Sequence, residues 1–343
     1  MGVRGKIKYY QAKYSKLFSK PKASFYSLQL EEILELRFSD LKLSLSDGPV
    51  AASIKTLEKE WQKTHFRWKP YYWLSTEWFH PEGTNGVAIP FYLSHPILMA
   101  IEEAFFKECE GKDRSDILKY LRHETGHIVD KVYQLRYSKD RRRLFGNSTK
   151  KYPKKYYPVL FSRKFVKNLP RNYAQTHPDE DFAETFAIWL NPKSKWRTKY
   201  SGTVLKKLNY IDQTIKSLRA SPPTTLLKDR VGDIKKSRMK LRTYYKNKAK
   251  LLGISWKEIE KQIYDQARDE LKTKKVKGLV LKYAKSKALT NYEMRYLLSL
   301  KHSPLLRKTQ ILSYLKKEDQ LALKKMILKM QKTIEKKGIY FST

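Results

Sequence analysis

LRHETGHIVD, residues 121–130, places His123, Glu124 and His127 in the pattern H-E-x-x-H. On a helix, positions i and i+4 stack on one face, so both imidazoles can reach a single metal ion. The surrounding residues predict such a helix. Ser115 or Asp113 can cap its start, Asp116 suits the first turn, and Ile117, Leu118, Leu121 and Ile128 form an apolar stripe. Gly126 costs such a helix roughly 1 kcal/mol, which makes sense if another segment must pack closely against the metal-bearing face.

Two histidines do not complete a catalytic zinc site, which needs three protein ligands and an open position for water. The stretch NYAQTHPDEDFAETFAIWL, residues 172–190, offers the third. After His177-Pro178 a second helix is predicted, opening on Asp179, Glu180 and Asp181, with Phe182, Ala183, Phe186, Ala187 and Leu190 at helical spacing. Glu180 and Glu184 share a face, so Glu180 would complete a two-histidine, one-glutamate set. Glu184, one turn on, could accept the second ring N–H of a ligating histidine and fix its tautomer. The competing reading of each acid is ordinary stabilisation of a helix N-terminus.

These motifs carry a family resemblance. The stretches STEWFHPEGTNGVAIPFYLSHPILMAIEE, LKYLRHETGHIVDKVYQLR and RNYAQTHPDEDFAETFAIWLNPKSKWRTKY resemble a bacterial zinc-binding metallopeptidase family, from about Trp73 to about Ile211. The motif pair is also similar to lethal-factor-like zinc peptidases, in which a tyrosine seven residues before the ligand glutamate assists the chemistry. Tyr173 stands seven before Glu180. Carried over residue by residue, the resemblance implies Zn2+ held by His123, His127 and Glu180, with Glu124 as general base and Tyr173 as a transition-state donor. It implies peptide-bond hydrolysis by a zinc-activated water.

Two rival ligand sets remain. His177 could be the third ligand, giving an all-histidine site. A DNA-associated protease pattern would need a third histidine near the motif, and none lies between His127 and His177. Upstream, GVAIPFYLS (86–94) reads as a β-strand, and its Pro90 points to a sheet edge that could hold an extended peptide.

The 343 residues allow two domains and an ample core, and 41% hydrophobic content is that of a globular protein. With Cys109 as the only cysteine there is no disulfide framework. The basic start lacks a signal-peptide core and no run reaches 18 apolar residues, so a soluble, cytoplasmic protein without a transmembrane segment is expected. The chain divides into a Lys/Tyr-rich arm (1–30), a zincin-like α+β domain (31–220) and a basic helical domain (221–343). Helices are expected near 28–38, 51–63 and 96–109, and the linker at Ala220 to Thr225. Helix starts are read at Ser255/Glu258, Thr290/Glu293 and Ser303-Pro304. KKYPKKYYPVLFSRKF (150–165) is basic and tyrosine-rich and could wall the cleft.

The net charge is +39, with 36 Lys/Arg against 12 Asp/Glu beyond residue 200. Such an excess attracts polyanions, whether nucleic acid, acidic protein or anionic lipid. RTYYKNKAK (242–250) has groups suited to stacking and phosphate contact. The fold expected is thus α+β and predominantly helical, and the function a zinc metallopeptidase acting on a peptide or protein. The competing functions are a non-catalytic, zinc-stabilised binding module, or a protease recruited to nucleic acid or another polyanion by its C-terminal region.

Overall fold

A computed structural model of the chain describes residues 30–46, 48–223 and 227–261. These residues form two compact units, one of residues 38–238 and one combining 30–37 with 239–261. The expected arm before residue 30 and the helix starts at Thr290 and Ser303 lie outside the described residues. Among those described the fold is predominantly helical with one small sheet, as the sequence predicts, and no helix is long and apolar enough to cross a membrane.

The small unit pairs α1 (Leu30–Glu35) with a helix at Leu241–Leu251. Leu241 N–H donates to the Leu36 carbonyl at 3.0 Å, and Glu35 accepts from Lys240 and Arg242. The chain enters another helix after Ser255, whose carbonyl accepts from Ile259 N–H.

The large unit runs in order through α2 (Gly48–Gln62), β1 (Tyr71–Ser75), β2 (Gly86–Pro90), α3 (Pro96–Phe106) and α4 (Arg114–Val132). It continues through α5 (Lys139–Phe145), α6 (Pro178–Leu190), α7 (Trp196–Lys199) and α8 (Gly202–Leu218). Helix α4 carries the H-E-x-x-H motif and lies at the centre of the core. Asp113 caps it by accepting from Asp116 N–H at 2.9 Å. Buried residues run almost without break from Tyr120 to Asp130, so α4 is packed on several sides rather than along one stripe. Two of its buried charged side chains, Arg122 and Asp130, are paired. Arg122 makes a bidentate contact with Glu60 of α2 at 2.8 and 2.7 Å.

Gly126 is where α6 meets α4. A Cβ placed there would stand 2.9 Å from the Ala183 Cα and 3.0 Å from the Phe186 Cβ. The missing side chain therefore sets the separation of the two helices that carry the motif residues. Gly126→Ala gains roughly 1 kcal/mol of helix propensity, but overpacking against backbone typically costs about 1–3 kcal/mol. We expect net destabilisation, read as a lower urea midpoint. A raised midpoint, as at an exposed helical glycine, would show that the interface has slack.

The sheet corrects one expectation. β1 and β2 are parallel, with Tyr71 opposite Gly86 and Ser75 opposite Pro90. The strand ends at Pro90, which has no N–H to extend a ladder, and Phe91–Ser94 turns into a 3-10 helix. All of β2 is buried, and Ala88 N–H donates to the Phe79 carbonyl at 2.8 Å. The edge predicted to receive an extended peptide is thus occupied in part by the chain's own segment around Phe79.

Candidate metal centre

Helix α6 opens on an N-cap that uses His177. Its Nδ1 accepts from Asp179 N–H at 3.1 Å, and Pro178 supplies the first helical position, where a missing N–H costs nothing. His177 Nε2 lies 2.6 Å from the Lys150 carbonyl, and Tyr152 stacks on the ring at 3.9 Å. With both nitrogens engaged, His177 stands apart from the H-E-x-x-H cluster.

Each acid of the first turn of α6 has its own partner. Asp179 accepts from the buried Arg141, and Asp181 accepts from the buried Lys207 at 2.6 Å. Glu180 instead faces α4. Its Oε2 lies 3.1 Å from His123 Nε2 and 3.1 Å from His127 Nε2, and those two nitrogens are themselves 3.1 Å apart. All three residues are buried.

The surroundings decide what this triangle is. His123 Nδ1 lies 2.9 Å from Glu184 Oε1, and that carboxylate also accepts from Asn168 Nδ2 and Leu169 N–H, each at 2.8 Å. Glu184 is completely buried, and these three contacts satisfy its oxygens. A neutral His123 then carries its proton on Nδ1 and presents a lone pair at Nε2. Two ring nitrogens and a carboxylate oxygen thus converge as electron-pair donors in a buried place. Ligands about 2.0–2.1 Å from a tetrahedral ion stand about 3.3 Å from one another, close to the separations here. The residues fit a divalent ion of the zinc type.

Burial opposes a charged His123, but hydrogen bonds to Glu180 and Glu184 outweigh it and push the imidazole up to about 10. Burial likewise works against an ionised Glu180, yet His127 and His123 hold its carboxyl far below the usual range. The second oxygen of Glu180 accepts from the Tyr152 hydroxyl at 2.7 Å.

Glu124 is buried beside this cluster and makes no hydrogen bond or ion pair among the described residues. Burial raises its pKa against the pull of His123 and His127. Tyr173 places its ring 5.7 Å from that of His123. Burial, and then the negative charges of Glu180 and Glu124, raise its pKa and keep the hydroxyl protonated. It reaches this position through a kink, with Arg171 and Asn172 both in the left-handed region. Thus His123, Glu124, His127, Tyr173, Glu180 and Glu184 all come together.

Four further contributors come from outside the two motif helices and the Tyr173 segment. Tyr152 lies in the basic, tyrosine-rich run, and Asn168 on an irregular stretch with no motif of its own. Trp78 stacks on Tyr120 at 5.3 Å, and His80 stacks on His127 at 5.4 Å, so this segment follows one face of α4. The indole N–H of Trp78 and the Nδ1 of His80 are buried without a hydrogen-bond partner among the described residues. Beside Asn168 and Leu169 opens a cleft of about 350 Å³, bordered also by Tyr120, Glu110 and Lys112.

Residues 107–255 match the model of a family described as "Putative zinc-binding metallo-peptidase". The match contains both motif helices and bears out the resemblance read from them, although it begins after the I-P-F-Y-L segment and runs past Ile211. No curated protein and no solved structure matches the chain.

Proposed function

We propose that this chain, whose residues 107–255 belong to that zinc-binding metallo-peptidase family, hydrolyses peptide bonds with a zinc ion at His123, His127 and Glu180. The observation that carries the reading is the 3.1 Å triangle of donor atoms with an unpartnered, buried Glu124 on the same helix. Zinc in such a site supplies a water with a pKa of roughly 7 and a Lewis-acid contact for the scissile carbonyl. With the ion bound, Glu124 would accept a proton from that water and return it to the leaving amine. Its raised pKa, caused by burial, brings it closer to neutral pH, where proton transfer in both directions is efficient. The protonated Tyr173 hydroxyl donates to the oxyanion that develops on the attacked carbonyl. Glu184, fixed by Asn168 and Leu169, holds the His123 ring, and Tyr152 holds Glu180. A module that merely retained zinc would need neither Glu124 nor Tyr173.

The test is digestion of an unbiased peptide library by zinc-loaded protein and by protein treated with a chelator. Cleavage should vanish on chelation and return with about one equivalent of zinc. Cleavage that survives removal of the metal, or none at any zinc level, would overturn the proposal. Tyr173→Phe refines it. We expect kcat to fall with KM nearly unchanged, because the hydroxyl acts only in the transition state. A change confined to KM would instead make Tyr173 a substrate-binding group.

A further inference from the structure

The loop that carries Tyr152 continues into a feature the peptidase chemistry does not use. Residues 147–169 contain neither helix nor strand. Both ends of the loop are fixed. Tyr152 is held by His177 and Glu180, Tyr156 donates to the Arg171 carbonyl at 2.9 Å, and Val166 is buried in a cluster with Ile188 and Trp196. Gln175 clamps the Val159 backbone through both its N–H and its carbonyl, at 2.9 and 3.1 Å. Between these anchors the side chains of Tyr157, Val159, Leu160 and Phe161 point outward, with exposures of 87, 67, 67 and 84%. Phe161 adopts a φ of +62°, a region that bulky residues rarely enter.

The chain therefore holds a strained backbone in order to present apolar side chains to solvent. Contiguous apolar exposure of this kind marks an interaction surface. Its charge identifies the partner. Residues 150–167 contain Lys150, Lys151, Lys154, Lys155, Arg163, Lys164 and Lys167 and not one acid. All seven are exposed, and none forms an ion pair among the described residues. The Lys167 ammonium lies 5.5 Å from the Phe161 ring, so positive charge adjoins the apolar tip directly. Side chains this exposed line no groove that a polypeptide could fill. An apolar projection flanked along the chain by exposed cations without ion pairs among the described residues fits a layer with anionic headgroups outside and acyl chains beneath.

We propose that the tip Tyr157–Phe161 docks on an anionic membrane surface, inserting Leu160 and Phe161 at the headgroup boundary while the flanking lysines meet the lipid charges. Since the same loop touches Glu180 through Tyr152, docking would present the metal centre to polypeptide held at that surface. The docking itself does not depend on the peptidase reading, and its test needs no activity.

The experiment uses the full chain with vesicles of phosphatidylcholine alone or with about 30% phosphatidylglycerol. A net charge of +39 gives some adsorption to any anionic surface, so the deciding variant keeps the charge. Leu160→Ser combined with Phe161→Ser should lower partitioning to anionic vesicles about tenfold or more. An environment-sensitive fluorophore on Val159→Cys, with the natural Cys109 buried, should shift to the blue on those vesicles and not on neutral ones. Equal partitioning of the serine variant, an unshifted label, or no anionic preference would overturn the proposal. So would a serine variant that keeps vesicle binding but loses cleavage of protein substrates, since the tip would then dock polypeptide.

Discussion

Replacing Glu124 with Gln is expected to reduce peptide hydrolysis by about 10²- to 10⁴-fold while leaving zinc content and thermal stability nearly unchanged. The two halves of the expectation have separate causes. Glu124 is not among the three atoms of the 3.1 Å triangle, and it forms no ion pair or hydrogen bond among the described residues whose loss would loosen the fold. Gln preserves its shape and removes only the ability to accept and return a proton. Being buried, the carboxylate is costly to keep ionised, and its raised pKa records that cost. A fold that retains such a group without a partner gains no stability from it, which points to use in chemistry. Steady-state kinetics on a cleaved library peptide, with metal analysis of the same preparation, would check this. Full activity in the variant would require another base, and loss of zinc would make Glu124 part of the metal site.

Arg141→Met is expected to cost about 3–5 kcal/mol of stability, the range found when one partner of a buried ion pair is removed. Arg141 is fully buried, and its guanidinium donates to Asp130 and Asp179 at 2.8 Å each and to the Gly146 carbonyl at 2.9 Å. It ties the end of α4 to α5 and to the first turn of α6. Among the described residues, methionine would leave the buried Asp130 carboxylate with no Lys or Arg partner, and Asp179 with Arg136 at 3.4 Å as its remaining one. Because Asp179 precedes Glu180, zinc affinity should fall as well. Arg143→Met is the control. Its ion pair with Asp140 is exposed on both sides, and such pairs contribute at most about 1 kcal/mol. Urea midpoints of the two variants should therefore differ clearly. Similar small losses would show that the network around Arg141 relaxes at little cost.

The parts of this centre legible in the sequence are those carried by helix periodicity. His123, Glu124 and His127 on α4, and Glu180 and Glu184 on α6, follow from i, i+4 spacing within apolar stripes. Gly126 could be read as a contact point because a mid-helix glycine needs a reason. Tyr173 was reached by resemblance rather than by pattern. Two successive left-handed residues, Arg171 and Asn172, aim it, and nothing in their identities announces that backbone. Tyr152, Asn168, Trp78 and His80 come from loops or irregular segments, where no period links a residue to its tertiary neighbour. Read alone, the acids Asp179, Glu180 and Asp181 suggested helix-dipole residues. The structure separates them by giving Asp179 and Asp181 buried cations and Glu180 two imidazoles. Pro90 points to an open sheet edge, whereas it stands at the end of β2, which pairs with β1 and is bridged at Ala88 by the segment around Phe79.

The central claim is that His123, His127 and Glu180 together hold one metal ion. Its most direct test is an X-ray structure of zinc-loaded protein with anomalous data collected at the zinc edge. A single anomalous peak is expected about 2.0–2.2 Å from His123 Nε2, His127 Nε2 and Glu180 Oε2, with Glu184 still bonded to His123 Nδ1. A peak coordinated by His177 with Glu180 turned away, or no peak between α4 and α6, would contradict it.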